Sequence, residues 1–499
     1  QDYKVFTTNP AHFENLTEDL RSLQAQGRRI VPILDPGVKV QPGFAVAESG
    51  QAVDIFCRNP EGQPYVGFVW PGRTWFPDFS LPEARDWWAS YAKAFRISGF
   101  DGAWLDMNDP STGAADLDDM RFQRGAWPHW AYHNQYALGM AQATRTGFSA
   151  ARPDERPFLL TRSASTGMSR FAAVWTGDNF SNWHHMRTAI HCSLNLALSG
   201  VPFNGPDVPG FGGHADKDLA VAWYKAGFLF PFLRNHACAG TADQEPWAFG
   251  AEALDTIRHH VRLRYKLLPY LAQLWVAQEQ QGAAVMRPLF YDFADTDGLE
   301  LDRVDDQFLI GPAILQAPVL QPGTQQRSVV LPGPCRWLEA ASGRFVAGGC
   351  MVHATSSAQA TPIYLREGSL IPMQVGWPQK PGVDLADIEL HAILGPDCAG
   401  VAVLDYVADD GLTLAYQRGV RSHWRLEAHR KGSTLVIAVR TLARGHASLR
   451  LRVVGYGGIT HVRLAVDGGA PQDHAALAAP WTLSGAVLTA TATSELVIG

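Results

Sequence analysis

The stretch DGAWLDMNDPS, residues 101–111, sets an apolar segment directly against Asp106, Met107, Asn108 and Asp109, with Pro110 to stop it. A short apolar run bounded by turn residues reads as a buried strand. Here that strand ends in charge.

The same layout recurs along the first half of the chain. Upstream, NLTEDLRSLQAQG (15–27) is expected to be a helix, with Asn15 as its cap, Glu18 three residues on and Gly27 as its stop. RRIVPILDPG (28–37) follows as a buried strand ending at Asp35, and the Gly/Pro/aromatic stretch 40–79 is expected to be an irregular loop or hairpin. PEARDWWASYAKAFRISG, from Pro82, reads as a second helix that leads into the strand at 101. Downstream the alternation continues. A helix is expected near 129–149, strands at 157–163 and 172–179, a helix from Trp183, strand VPFNGPDV, helix DLAVAWYKAGF, strand FLFPFLRNH, and one long helix over 252–281.

Repeated strand–helix units imply a parallel sheet covered by helices, either a barrel or an open doubly wound sheet. Asp35, Asp106, Arg162, Asp178, Asp207 and His236 each fall at or just past the end of a different strand. An open sheet gathers its site at one switch point, whereas a (β/α)8 barrel collects strand ends in a ring. The barrel is therefore the expected fold, although only six strands with helices are convincing. From 283 the pattern becomes short alternating segments such as QFLIGPAILQAPVL, TPIYLREGSLIP and STLVIAVRTL, which is β-sandwich material. A break at PQKPGVD (378–384) divides it, giving an expected α/β barrel at 1–282 and two all-β sandwiches at 283–382 and 383–499.

With 42 Lys plus Arg against 48 Asp plus Glu, the net charge of -6 advertises neither nucleic acid nor an anionic membrane as partner. No apolar run approaches the ~20 residues that span a bilayer, and no signal-peptide layout opens the chain, which leaves the compartment and oligomeric state open. The six cysteines are scattered without a C-x-x-C pair and read as packed thiols. No cofactor or metal is expected: His129 and His133 have i, i+4 spacing, but H-E-x-x-H, phosphate-cradling glycine motifs and a G-x-S-x-G elbow are all absent. The 16 tryptophans lie mostly in the first 275 residues, and aromatic faces suit the apolar faces of sugar rings.

Asp106 in WLDMND and Asp178 in VWTGDN form the strongest chemical pair. Cleaving a glycosidic bond takes one ionised and one protonated carboxyl, and two acids with different neighbours can divide those roles. Strand-end Asp residues also cap helices, so each acid alone is equally well read as structural. Arg162, Asp207, Arg234 and His236 favour chemistry, because such a charge mixture is costly to gather unless it is used. Asp207 and Arg234 also read as an ion pair.

In LDPG, VWPGRTWFPDF, DGAWLDMND, TRSASTG, VWTGDN, GPDVPGF, PFLRNHA, EPWAFG and ADDGLTLAY, taken in this order, the chain resembles glycoside hydrolase family 31, the retaining α-glucosidases. The resemblance runs over nearly the whole length. It implies a (β/α)8 barrel followed by proximal and distal β-sandwiches, with Asp106 as nucleophile and Asp178 as general acid/base. Arg162, Trp175 and His236 would line a glucose subsite, Trp70 and Phe211 would close its walls, Trp104, Met107 and Asp35 would contribute to it, and Asp207 paired to Arg234 would support it. Asp-Met-Asn after the strand resembles the family's glucosidases rather than its α-xylosidases. Asp109 stands where the family usually has Glu, and Val208-Pro209 replaces a more usual Ile-Gly. The family's N-terminal β-sandwich and first two barrel strands would precede Gln1, so the barrel is expected to be incomplete at its start. The expected function is an exo-acting α-glucosidase that frees glucose from the non-reducing ends of oligosaccharides. An α-glucosyltransferase with the same intermediate, or a non-catalytic carbohydrate-binding fragment, are the alternatives.

Overall fold

The computed structural model describes residues 2–295, 298–357, 360–377, 383–470, 472–475, 480–482, 487–489 and 492–498. Two units emerge from its contacts, the first comprising residues 1–175 with 412–414, the second 176–411 with 415–499.

The first unit opens with α1 (Leu16–Ala25), β1 (Ile33–Leu34) and β2 (Val38–Lys39), continues through α2 (Ala45–Ala52), β3 (Gly67–Val69), β4 (Gly72–Trp75), α3 (Pro82–Ile97), β5 (Gly102–Leu105) and α4 (His133–Ala151), and closes with β6 (Phe158–Thr161) and β7 (Ala173–Trp175). β1, β5, β6 and β7 lie side by side in that order, all parallel. Their register places Leu34 opposite Leu105 and Leu105 opposite Thr161. The residues that follow, Asp35, Asp106 and Arg162, therefore leave the sheet at one level on adjacent strands, roughly 4.8 Å apart in the hydrogen-bonding direction. Behind the sheet, α3 and α4 pack together. Trp88 of α3 is fully buried, donates its indole N–H to Thr144 at 2.8 Å and meets Phe79 edge-on at 5.3 Å.

Two local expectations are corrected here. Asn15 precedes α1, but its side chain makes no capping hydrogen bond. The stretch 40–79 carries the helix α2 as well as a hairpin, β3–β4, whose two-residue turn is Trp70-Pro71. Gly72 closes that turn at φ +89°, a conformation that a side chain disfavours.

The second unit begins with α5 (Trp183–Leu198), β8 (Asn204–Gly205), β9 (Asp207–Val208), α6 (Lys217–Gly227), β10 (Arg234–Asn235), α7 (Ala251–Lys266) and α8 (Leu268–Gln281). Proline accounts for each departure from expectation. Pro206 splits VPFNGPDV into β8 and β9, and in FLFPFLRNH only Arg234–Asn235 is strand, because Pro231 has no N–H to give a ladder. The expected single helix over 252–281 is two helices meeting at Leu267, since Pro269 cannot continue the hydrogen bonding of α7 and instead sits in the first turn of α8.

Beyond α8 the chain is almost all β. Six strands, in the order 286–287, 308–310, 314–316, 363–366, 336–339 and 345–347, form an antiparallel sheet. Two further sheets share a core in which Ile388, Leu390 and Leu451 from one face Tyr406, Trp424 and Ile437 from the other, a sandwich. Each contains one parallel pair, 387–393 with 449–455 and 434–439 with 461–466. Ser369–Gln374 pairs with Asp387–Ile393, so strands on both sides of the PQKPGVD segment share a sheet; residues 378–382 themselves lie outside the described residues.

Candidate active site

In the first unit, Arg162 organises the strand ends. Its Nη1 stands 3.3 Å from Asp106 Oδ1, and its Nη2 lies 2.5 Å from Asp109 Oδ1. The same guanidinium contacts Met107 Sδ at 3.1 Å and the hydroxyl of Ser111. Asn108 lies behind this row, fully buried; its amide donates to Thr161 Oγ1 at 2.9 Å and its carbonyl accepts from the Ser163 backbone at 3.1 Å. The turn that follows β5 is thereby tied to the end of β6. Met107 holds φ +55°, a left-handed backbone uncommon for a side-chain-bearing residue, which reverses the chain just after Asp106.

Asp106 and Asp109 thus share one guanidinium, and Asp35 lies partly buried beside Asp106. Burial, then the neighbouring Asp106, push its carboxyl up to about 7 against a smaller opposing pull from Arg162. Asp35 Oδ1 is buried with no hydrogen-bond partner among the described residues. A carboxyl poised in this way can either donate or accept near neutral pH. Trp104 and Trp175 flank the row, their rings edge to face at 5.6 Å. Trp70, by contrast, is 61% exposed at the hairpin tip and stacks on Tyr3 at 5.9 Å. With Phe68, Met107 and Asp109 it lines an open groove.

In the second unit, β9 and β10 pair in parallel with Asp207 opposite Arg234. Arg234 Nε donates to Asp207 Oδ1 at 2.5 Å, and the Asp207 side chain is fully buried. His236, one residue beyond β10, stacks against Phe211 with centroids 5.3 Å apart. Burial, followed by repulsion from Arg234, lowers His236 to about 4, so its ring is neutral at pH 7. Asp178 is exposed.

Its neighbour Asn179 is buried and was not singled out from the sequence. The Asn179 amide donates to the Asp207 carbonyl at 3.0 Å, while its side-chain oxygen accepts from the Phe211 backbone at 3.0 Å. Gly210 allows this loop to close, since at φ +129° an added Cβ would sit 2.5 Å from Ser181 N. The one sequence signal for Asn179 was its place in VWTGDN beside a candidate acid. Ser111 was missed in the same way; only its position two residues after Asp109 hinted at it.

His129 and His133 bond to each other at 2.7 Å, and among the described residues no group of His, Cys, Asp or Glu is arranged to hold a metal ion. Among them also, no helix is long and apolar enough to cross a membrane.

Comparison with known proteins extends these observations. Residues 1–274 match the glycosyl hydrolases family 31 TIM-barrel domain, and residues 282–371 match the family 31 C-terminal domain. The parallel strands and helices of the first half are thus those of a TIM barrel, followed by β-sheet domains. Alpha-glucosidase 2 of Bacillus thermoamyloliquefaciens is 34% identical over 93% of this chain and 59% of its own length. Mouse neutral alpha-glucosidase C is 34% identical over 83% of the chain and 47% of its own length. A crystal structure of a glucosidase II alpha subunit with Tris bound superposes with a TM-score of 0.85 at 25% identity, covering 100% of this chain and 57% of that one. A Flavobacterium johnsoniae family 31 dextranase complexed with isomaltotriose gives 0.80 at 26% identity, over 88% of this chain and 56% of that one. The chain spans about half the length of the relatives it matches. With a family barrel match over more than half its residues and a family C-terminal match directly after it, this chain belongs to glycoside hydrolase family 31.

Proposed function

We propose that this chain carries the chemistry of a retaining exo-α-glucosidase, which releases glucose from the non-reducing ends of α-glucosides. The observation that carries the reading is the strand-end row in which Asp106 stands 3.3 Å from the Arg162 guanidinium. A cation at that distance favours an ionised carboxylate, the form a nucleophile needs. Kinship with alpha-glucosidases and with a dextranase supports the substrate class.

In this mechanism Asp106 attacks the anomeric carbon while Asp178 protonates the departing glycosidic oxygen. The product of that step is a glycosyl ester on Asp106. Asp178, now a carboxylate, then takes a proton from water, the water oxygen bonds to the anomeric carbon, and Asp106 leaves; two inversions give net retention. Arg162 and neutral His236 supply hydrogen bonds to sugar hydroxyls, and Asp35 offers a donor or acceptor there. Trp104, Trp175 and Met107 give the ring apolar surface, with Trp70 and Phe211 as outer walls. Asp207 paired to Arg234 holds its strands in register.

An aryl α-glucoside assay followed by proton NMR tests the proposal. The first glucose released is expected to be the α-anomer, and Asp106→Ala is expected to lower kcat/KM by about 10⁴-fold or more. Asp178→Ala should keep the first step with a good leaving group and yield α-glucosyl azide when azide is added. Release of β-glucose, or most activity surviving in Asp106→Ala, would overturn the assignment.

A further inference from the structure

On the second unit, away from the strand ends, α6, α7 and the segment 318–325 enclose a cavity of about 260 Å³. That is slightly below the roughly 300–1,000 Å³ of sites for drug-sized ligands, and it suits an inorganic anion or a small substituted one. Lys225, from the last turns of α6, projects into its wall. The Lys225 ammonium donates to Ser356 Oγ at 2.7 Å and to the Ser357 carbonyl at 2.6 Å. An ammonium has three N–H donors, so one is left over after these two bonds.

The ammonium also lacks a directly paired carboxylate among the described residues, and burial alone accounts for the fall of the Lys225 amine to about 8. Two carboxylates also line the cavity: Glu252 pairs with exposed Lys217 at 3.0 Å, and Asp218 lies close enough to Lys217 to feel its charge. Two bonds to a hydroxyl and a carbonyl could be made by a neutral donor. A partly desolvated cation without a directly paired carboxylate is instead what an anion site requires. Thr324 and Gln325 add hydrogen-bonding groups to the same wall.

We propose that this cavity is a binding site for a small oxyanion, free or carried on a hydroxylated molecule, with the Lys225 ammonium as its charged anchor. The site is independent of the glycosidase reading, because none of its residues belongs to the proposed catalytic machinery.

Titration calorimetry on the full chain with inorganic phosphate, glycerol 3-phosphate and glycerol tests it. One phosphate-bearing ligand per chain is expected to bind saturably, with no binding of glycerol. Tighter binding of glycerol 3-phosphate would identify a hydroxylated carrier, and equal binding a free oxyanion. Lys225→Met should weaken binding at least tenfold, whereas Lys225→Arg should keep it. Amine acylation of the unmutated protein gives a second readout that needs no variant: phosphate should protect Lys225 and spare the other lysines. Absence of saturable anion binding, unchanged affinity in Lys225→Met, or protection spread evenly over all lysines would each overturn the proposal.

Discussion

Around Arg162, Asp106 and Asp109 both pair with the guanidinium while Asp35 lies partly buried beside Asp106; around Arg234, the fully buried Asp207 pairs with the guanidinium and His236 lies near by. Both clusters sit at the ends of parallel strands, and both are partly or fully withdrawn from water. The difference lies in what burial does to the group beside each pair. Burial first and the neighbouring Asp106 second raise the Asp35 carboxyl to about 7, while burial first and repulsion from Arg234 second lower His236 to about 4. The first leaves a carboxyl that can be protonated near neutral pH, and the second joins two paired strands, β9 and β10, across their ends.

The largest effect should come from breaking the Asp207–Arg234 pair. Asp207→Ala removes the carboxylate that pairs with the partly buried Arg234, and losing one partner of such a pair typically costs about 3–5 kcal/mol. Denaturant unfolding should show a loss of that order, and a change below about 1 kcal/mol would remove Asp207 from its supporting role.

The next test uses the partly buried Asp35. Asp35 has a folded value of about 7 against an ordinary 3.8, so its contribution to stability is fully present below 3.8 and lost as pH rises towards 7. Asp35→Asn should therefore melt higher than the unsubstituted protein at pH 8, by the equivalent of about 1–3 kcal/mol, with the gap closing towards pH 4. A gap independent of pH would show that Asp35 is not the group holding the proton.

His236 should behave in the opposite sense. Its value falls from 6.5 to about 4, so the stability it contributes is full above 6.5 and lost as pH drops towards 4. In His236→Gln the acid-side decline in melting temperature should be shallower by the equivalent of about 1–2 kcal/mol. An unaltered decline would place the acid sensitivity elsewhere.

Much of this was legible without coordinates. Acids ending apolar segments marked the strands of a barrel, because a parallel sheet buried on both faces needs near-continuous apolar runs and can show charge only where a strand leaves the sheet. What misled was local proline chemistry. Pro206, Pro231 and Pro269 interrupt segments whose hydrophobic pattern is continuous, and periodicity carries no penalty for a missing N–H. The motif that names Trp70 as a wall says nothing of its exposure, and the residue sits 61% exposed at a hairpin tip.

By itself the sequence determined which residues could carry charge to the sheet's edge and in what order, because alternation, turn residues and strand ends are local properties of the chain. Only the tertiary structure decided who shares with whom. The register that levels Asp35, Asp106 and Arg162, the use of Arg162 by both Asp106 and Asp109, and the bridging of Asp207 to Phe211 by Asn179 all join residues distant in the chain. Proton affinity follows from those neighbours and from burial, so the chemistry of each acid was settled by packing rather than by its place in a motif.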